Sequence, residues 1–140
     1  MSKSNAMETA MLLLYFNAVT HAELAENDTT GPSANLTAAL HTASPAETGT
    51  QLTNEAAYTS YARVNVARTA GGWTVTGNIV SPVANIDFPA ATGGSETETH
   101  FSVGTGTSNF MMYFGTLTPN IVVASGVTPS VTTASTIDED

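Results

Sequence analysis

Residues able to do chemistry are few in this chain, and their spacing argues against most chemistries. The three histidines, His21, His41 and His100, have no mutual spacing of metal-ligand type, and cysteine is absent, so neither a zinc site nor thiol chemistry is indicated. "SVGTGTS" places Gly104 and Gly106 near each other but lacks a third glycine and a following helix, so it reads as a hairpin turn rather than a phosphate cradle. Glu96 and Glu98 would lie on one side of an extended segment, the minimum that a paired-carboxylate hydrolase needs. A solvated loop is the plainer reading of "TGGSETE". His41, at the end of an alternating segment, reads as a hydrogen-bonded strand-edge residue rather than a base. These patterns point to no enzyme and no cofactor.

The cations are more informative. Lys and Arg together number three against twelve Asp and Glu, a net charge of −9. That balance excludes a nucleic-acid footprint, which needs clustered cations, and an anionic membrane surface as partner. Arg63 and Arg68 both fall in "NEAAYTSYARVNVAR". An odd separation sends them to opposite faces of an uninterrupted strand. Arg63 is expected to clamp the fold through Glu55, Asp87 or a loop carbonyl, since the guanidinium fork suits a carboxylate. Arg68, beside the turn "TAGG", can reach the rim and meet a neighbouring subunit.

Alternation and turn residues predict the elements that hold these groups. "NLTAALHT" alternates Leu36, Ala38 and Leu40 against Thr37 and His41. "AAYTSYARVNVAR", "WTVTGNIV", "NIDFPA", "THFSVGTG", "NFMMYFGTLT" and "NIVVASGVTPSV" follow, separated by Gly, Pro, Ser and Thr clusters. With hardly any helix between them, the strands must pair antiparallel. The expected fold is mainly β, an antiparallel β-sandwich or jelly-roll-like domain with a short N-terminal helix. "SPAE" is expected to form one helical turn, capped by Ser44 with Pro45 at its first position. In "FMMYF", Met111 and Tyr113 share one strand face and Phe110, Met112 and Phe114 the other. A central strand or a partner-contact face would explain two apolar sides.

At the start, Asn5 and Glu8 have capping-box spacing, and Met7, Met11, Leu14 and Tyr15 fall on one face of a helix over about residues 6–16. The apolar run is too weak for a signal peptide and far short of the roughly 18 residues of a membrane span. The chain therefore divides into residues 1–34, an N-terminal helix and connecting arm; 35–131, the β-sandwich; and 132–140, an acidic tail with nothing to add to a core. Thr, Ser, Asn and Gly stand where Lys and Glu usually do, which suits a surface that touches other protein. The contact candidates are Met7, Met11, Leu14, Arg68, Met111 and Tyr113.

"LHTASP", "TNEAAYTSYARV" and "FPAATGG", within a stretch from about Asn35 to Val131, resemble a group of small virion proteins of tailed bacteriophages. Members are labelled either tail fibre protein or capsid decoration (cement) protein. The resemblance implies a non-enzymatic protein on the capsid exterior, bound to the major capsid protein and to copies of itself, a trimer being one such arrangement. The alternative is a tail-fibre or receptor-binding module of the phage tail. It brings no catalytic residues with it.

Overall fold

The computed structural model describes residues 2–7, 10, 21, 34–76, 79–105 and 109–138. It is mainly β, with antiparallel sheets that form an open sandwich. Ten strands are present among the described residues: β1 (Ser2–Lys3), β2 (Asn35–His41), β3 (Val64–Ala67), β4 (Trp73–Thr76), β5 (Ile79–Pro82), β6 (Ile86–Asp87), β7 (Glu96–Gly104), β8 (Met111–Val123), β9 (Ser130–Val131) and β10 (Ile137–Asp138). One sheet runs β1-β8-β7-β2-β3, a second β10-β5-β4, and β6 pairs with β9.

β2 alternates apolar and polar residues, yet both of its faces are buried from Thr37 to His41. Ala38 and Leu40 join a core with Tyr58, Phe88, Phe101, Val103, Val123 and Val131. β2 lies between β3 and β7 over its first half, and between β7 and the Glu55 bridge at His41. His41 is therefore fully buried rather than at a strand edge. "WTVTGNIV" divides into β4 and β5, a hairpin with Trp73 opposite Pro82 and Thr76 opposite Ile79. Conversely, "NFMMYFGTLT" and "NIVV" fuse into β8. The ladder with β7 steps across Leu117–Asn120, because His100 pairs with Thr116 whereas Glu98 pairs with Ile121. Pro119 falls within that step, where no ladder N–H is demanded of it.

Local chemistry overrides several sequence expectations. "SPAE" forms no helix: Ala46 has φ 59°, and its N–H donates to Ser44 Oγ at 3.2 Å. Arg63 immediately precedes β3 rather than standing mid-strand. The N-terminal helix includes Asn5, Ala6, Met7 and Ala10, and its cap is Ser4. The buried Ser4 Oγ accepts from Met7 N–H at 3.2 Å and donates to the Met111 carbonyl. Glu8, Met11 and Leu14 lie outside the described residues. Residues 132–140, expected to add nothing to the core, contribute Ile137, which pairs with Val80 and is 7% exposed. The polar segment is held on the sandwich by this side chain, by its ladder with β5 and by the Thr133 N–H to Asn85 Oδ1.

Candidate functional site

The polar residues converge on one side of the five-stranded sheet. The segment between β2 and β3 folds back over this side, and Arg63 ties it down. Arg63 Nε donates to Glu55 Oε1 at 2.6 Å and Nη2 to Glu55 Oε2 at 2.8 Å. Nη1 reaches Asn109 Oδ1 at 2.8 Å, just before β8. Glu55 Oε1 also accepts from the Tyr61 hydroxyl at 3.1 Å, and that hydroxyl accepts from Leu40 N–H at 3.1 Å. Tyr61 stacks on Phe88, ring centroids 6.2 Å apart. Burial, with Glu55 close by, pushes the Tyr61 phenol far above its ordinary range. The network joins loop, sheet and core, and its groups are committed to one another.

His41 is held in the same way. Its Nδ1 lies 2.9 Å from the Thr53 carbonyl and Nε2 lies 2.8 Å from Ser102 Oγ. Nδ1 therefore carries the proton and Nε2 accepts from the serine hydroxyl. Desolvation lowers its pKa despite the helpful carbonyl, which keeps the ring neutral. Gln51, also fully buried, donates to the Thr37 carbonyl at 2.8 Å. Nothing in the sequence marked Gln51, Tyr61 or Asn109 as partners; only the return of the 42–63 segment onto the sheet brings them together.

Glu96 and Glu98 do not sit in a solvated loop, because β7 begins at Glu96. Glu96 Oε1 accepts from Ala57 N–H at 2.8 Å and Tyr58 N–H at 2.7 Å. Glu98 is 0% exposed, and neither carboxyl oxygen has a geometrically good hydrogen bond. Burial first, then the neighbouring Glu96, raises its pKa to about 8. Glu98 accordingly keeps its proton at neutral pH, while Glu96 fixes the backbone of residues 57–58. The Tyr58 hydroxyl donates to the Pro89 carbonyl at 2.9 Å, and burial beside these carboxyls pushes its pKa up to about 12. A water nucleophile has no open face between the two carboxyls, since Glu98 is sealed. Among the described residues no cluster of three or more acidic or histidine side chains could hold a metal ion.

The contact candidates are scattered. Met111 is 1% exposed and packed within its own chain, which removes it as a contact for a neighbour. β8 turns that side chain inward while Met112 and Tyr113 remain partly accessible. Tyr113, Met112 and Arg68 line an apolar cleft of about 480 Å³ between the two larger sheets. Leu36 and Val103 form its wall on one sheet, and Trp73, Val75, Val80 and Ile137 its wall on the other. Met7 is half-buried near the chain start. The cleft was not legible beforehand, because it depends on how far the sheets part at the β4–β5 hairpin. No helix of the described residues is long and apolar enough to cross a membrane.

In this β-sandwich Arg63, Glu55, His41, Glu96 and Glu98 are tied into the packing of their own chain, while Leu52, Val75, Val83 and Val122 stand exposed along with acids such as Asp87 and Asp138. The chain matches the family described as Podophage GP4 fiber I protein gp80 over residues 2–137, and it belongs to that family of phage virion structural proteins. No curated protein matches it.

Proposed function

We propose that this protein is a non-enzymatic subunit of a podophage tail fibre. The observation that carries the reading is the family match, which spans residues 2–137 and names a fibre protein. Two features of the chain support it. Its ionisable side chains near the sheet hold the fold, as Arg63 and Glu55 do. Its surface is poor in charge, with Val75, Val122 and Leu52 each more than half exposed, which favours contact with other protein over solvation alone. In such a role the sandwich is a rigid spacer or joint, and many weak contacts along an assembly add to a strong one.

The resemblance through residues 35–131 supports a second location, the capsid exterior, where the same module would contact the major capsid protein and bridge capsomers. Copy number separates the two. Quantitative mass spectrometry of purified particles, with cryo-EM localisation of a tagged chain, is expected to give a small number of copies at the tail. Hundreds of copies spread over the head would overturn the fibre assignment in favour of cement.

A further inference from the structure

The side of β2 and β7 turned away from the core brings a hydroxyl, an imidazole and a carboxamide together. Leu40 pairs with Phe101 and Ala38 with Val103 on the core side. Thr37 and His41 of β2 therefore share the other side with His100, Ser102 and Gly104 of β7, where His41 and Ser102 are diagonal neighbours. The 42–63 segment lays Gln51 over them. Its backbone N–H donates to the Asn109 carbonyl at 3.1 Å. Gly104 leaves the space that the carboxamide fills, since a Cβ there would lie 2.7 Å from Gln51 Oε1. His41, Gln51 and Ser102 are each 0% exposed.

Each group is placed for one reaction. Ser102 Oγ donates to His41 Nε2 at 2.8 Å, and the Thr53 carbonyl, 2.9 Å from Nδ1, holds the other ring proton. That is the tautomer of a general base beside a nucleophile, and burial keeps the ring neutral. Gln51 Nε2 lies 3.4 Å from the same Oγ. It also donates to the Thr37 carbonyl at 2.8 Å, which fixes the amide in place. Gln51 Oε1 lies 3.5 Å from Arg63 Nη1, so a cation stands where negative charge on that oxygen would develop. Nucleophile, base, acyl group and oxyanion donor thus meet where water is excluded.

We propose that Ser102 Oγ and Gln51 Cδ join in an intramolecular ester. His41 Nε2 takes the hydroxyl proton as Oγ adds to Cδ, and Oε1 carries the negative charge towards Arg63. The imidazolium then gives that proton to the Gln51 amide nitrogen, the Cδ–Nε2 bond breaks, ammonia leaves and the carbonyl re-forms. One hydroxyl and one carboxamide yield one ester and one ammonia, so no co-reactant is needed. Escape of ammonia into solvent draws the exchange forward, and burial shields the ester from hydrolysis. The reaction occurs once per chain and is not turnover. It ties the 42–63 segment covalently to β7 in a chain without cysteine, and it rests on no part of the fibre reading.

Mass spectrometry of the purified full chain tests it. The wild type is expected to weigh less than its sequence by one ammonia. Trypsin cuts after Lys3, Arg63 and Arg68, the three basic residues, so a denatured digest puts Gln51 in fragment 4–63 and Ser102 in fragment 69–140. These should appear as one linked species that hydroxylamine separates, leaving a hydroxamate at position 51. Ser102→Ala should show the full sequence mass and two separate fragments, and should unfold at a lower denaturant concentration. His41→Gln, which lacks the base, should link about 100-fold more slowly or not at all. The wild-type result stands whether or not either variant folds. A wild type of full sequence mass with separate fragments after prolonged incubation, ammonia lost within a single fragment, or a link that persists in Ser102→Ala would each overturn the ester.

Discussion

Arg63 grips Glu55 through two hydrogen bonds, 2.6 and 2.8 Å long, with both side chains only 15% exposed. The same carboxylate receives the Tyr61 hydroxyl, so removing either partner strands more than one group. Hydrogen bonding to Glu55 is also what raises the Arg63 pKa most. Arg63→Ala is expected to lower stability by about 3 kcal/mol, the usual cost of orphaning one member of a largely buried pair. Denaturant unfolding would show it as a shifted midpoint. Arg63→Lys should recover less than half of the loss, because an ammonium cannot span both oxygens.

The buried Glu98 makes stability depend on pH in a defined direction. Its folded pKa is about 8 against an ordinary value of 4.5, so between these values the unfolded chain has lost a proton that the folded chain keeps. Stability must then fall as pH rises from about 4.5 to about 8 and level off above. Glu98→Gln removes the proton, keeps the shape, and should raise stability at pH 8 by about 2 kcal/mol while flattening the profile. Thermal melts of both proteins across that range measure it, and a wild-type profile flat between these limits would refute it.

Gly104 has no room for a side chain. A Cβ there would lie 2.1 Å from the Phe110 carbonyl oxygen and 2.6 Å from Gln51 Cδ. The backbone oxygen cannot retreat without unlocking Met111 from its register with Gly104. Gly104→Ala is expected to destabilise by about 2–3 kcal/mol. Gly126→Ala is a useful contrast: its space is open, and only its φ of 90° strains the variant, at about 1 kcal/mol.

Strand periodicity in Leu36, Ala38 and Leu40 made β2 legible, because a two-residue repeat is a local property that burial then enforces. The odd spacing of Arg63 and Arg68, the shortage of cations and the carboxylate at Glu55 made a clamp arguable for the same reason. What could not be read were features set by distant chain segments. His41 looked like an edge residue until Glu55 and His100 flanked it. Glu98 looked solvated, yet in β7 it is completely buried, and burial of a carboxyl leaves no local sequence signal. The cleft depends on where two sheets part, which no periodicity encodes. Resemblance put the chain among virion proteins, and the family match then favours the fibre label over the cement label.

The end of the chain provides the sharpest test of how the sandwich closes. Ile137 is 7% exposed, pairs with Val80 and helps to wall the cleft between the sheets. The residues leading to it are polar, and the Thr133 N–H is held by Asn85 Oδ1 at 3.2 Å. Truncation after residue 131 would strip β10 from β5, leave that strand unpaired on one side, and expose Trp73 and Val80. Loss of the isoleucine side chain alone, as Ile137→Ala, should cost about 2–3 kcal/mol. The truncation should cost more, since ladder hydrogen bonds go with it. Trp73 emission would shift to the red in the truncated chain and much less in Ile137→Ala. If the truncated protein melts at the wild-type temperature with unchanged emission, β10 contributes nothing to closure and the core ends at β9.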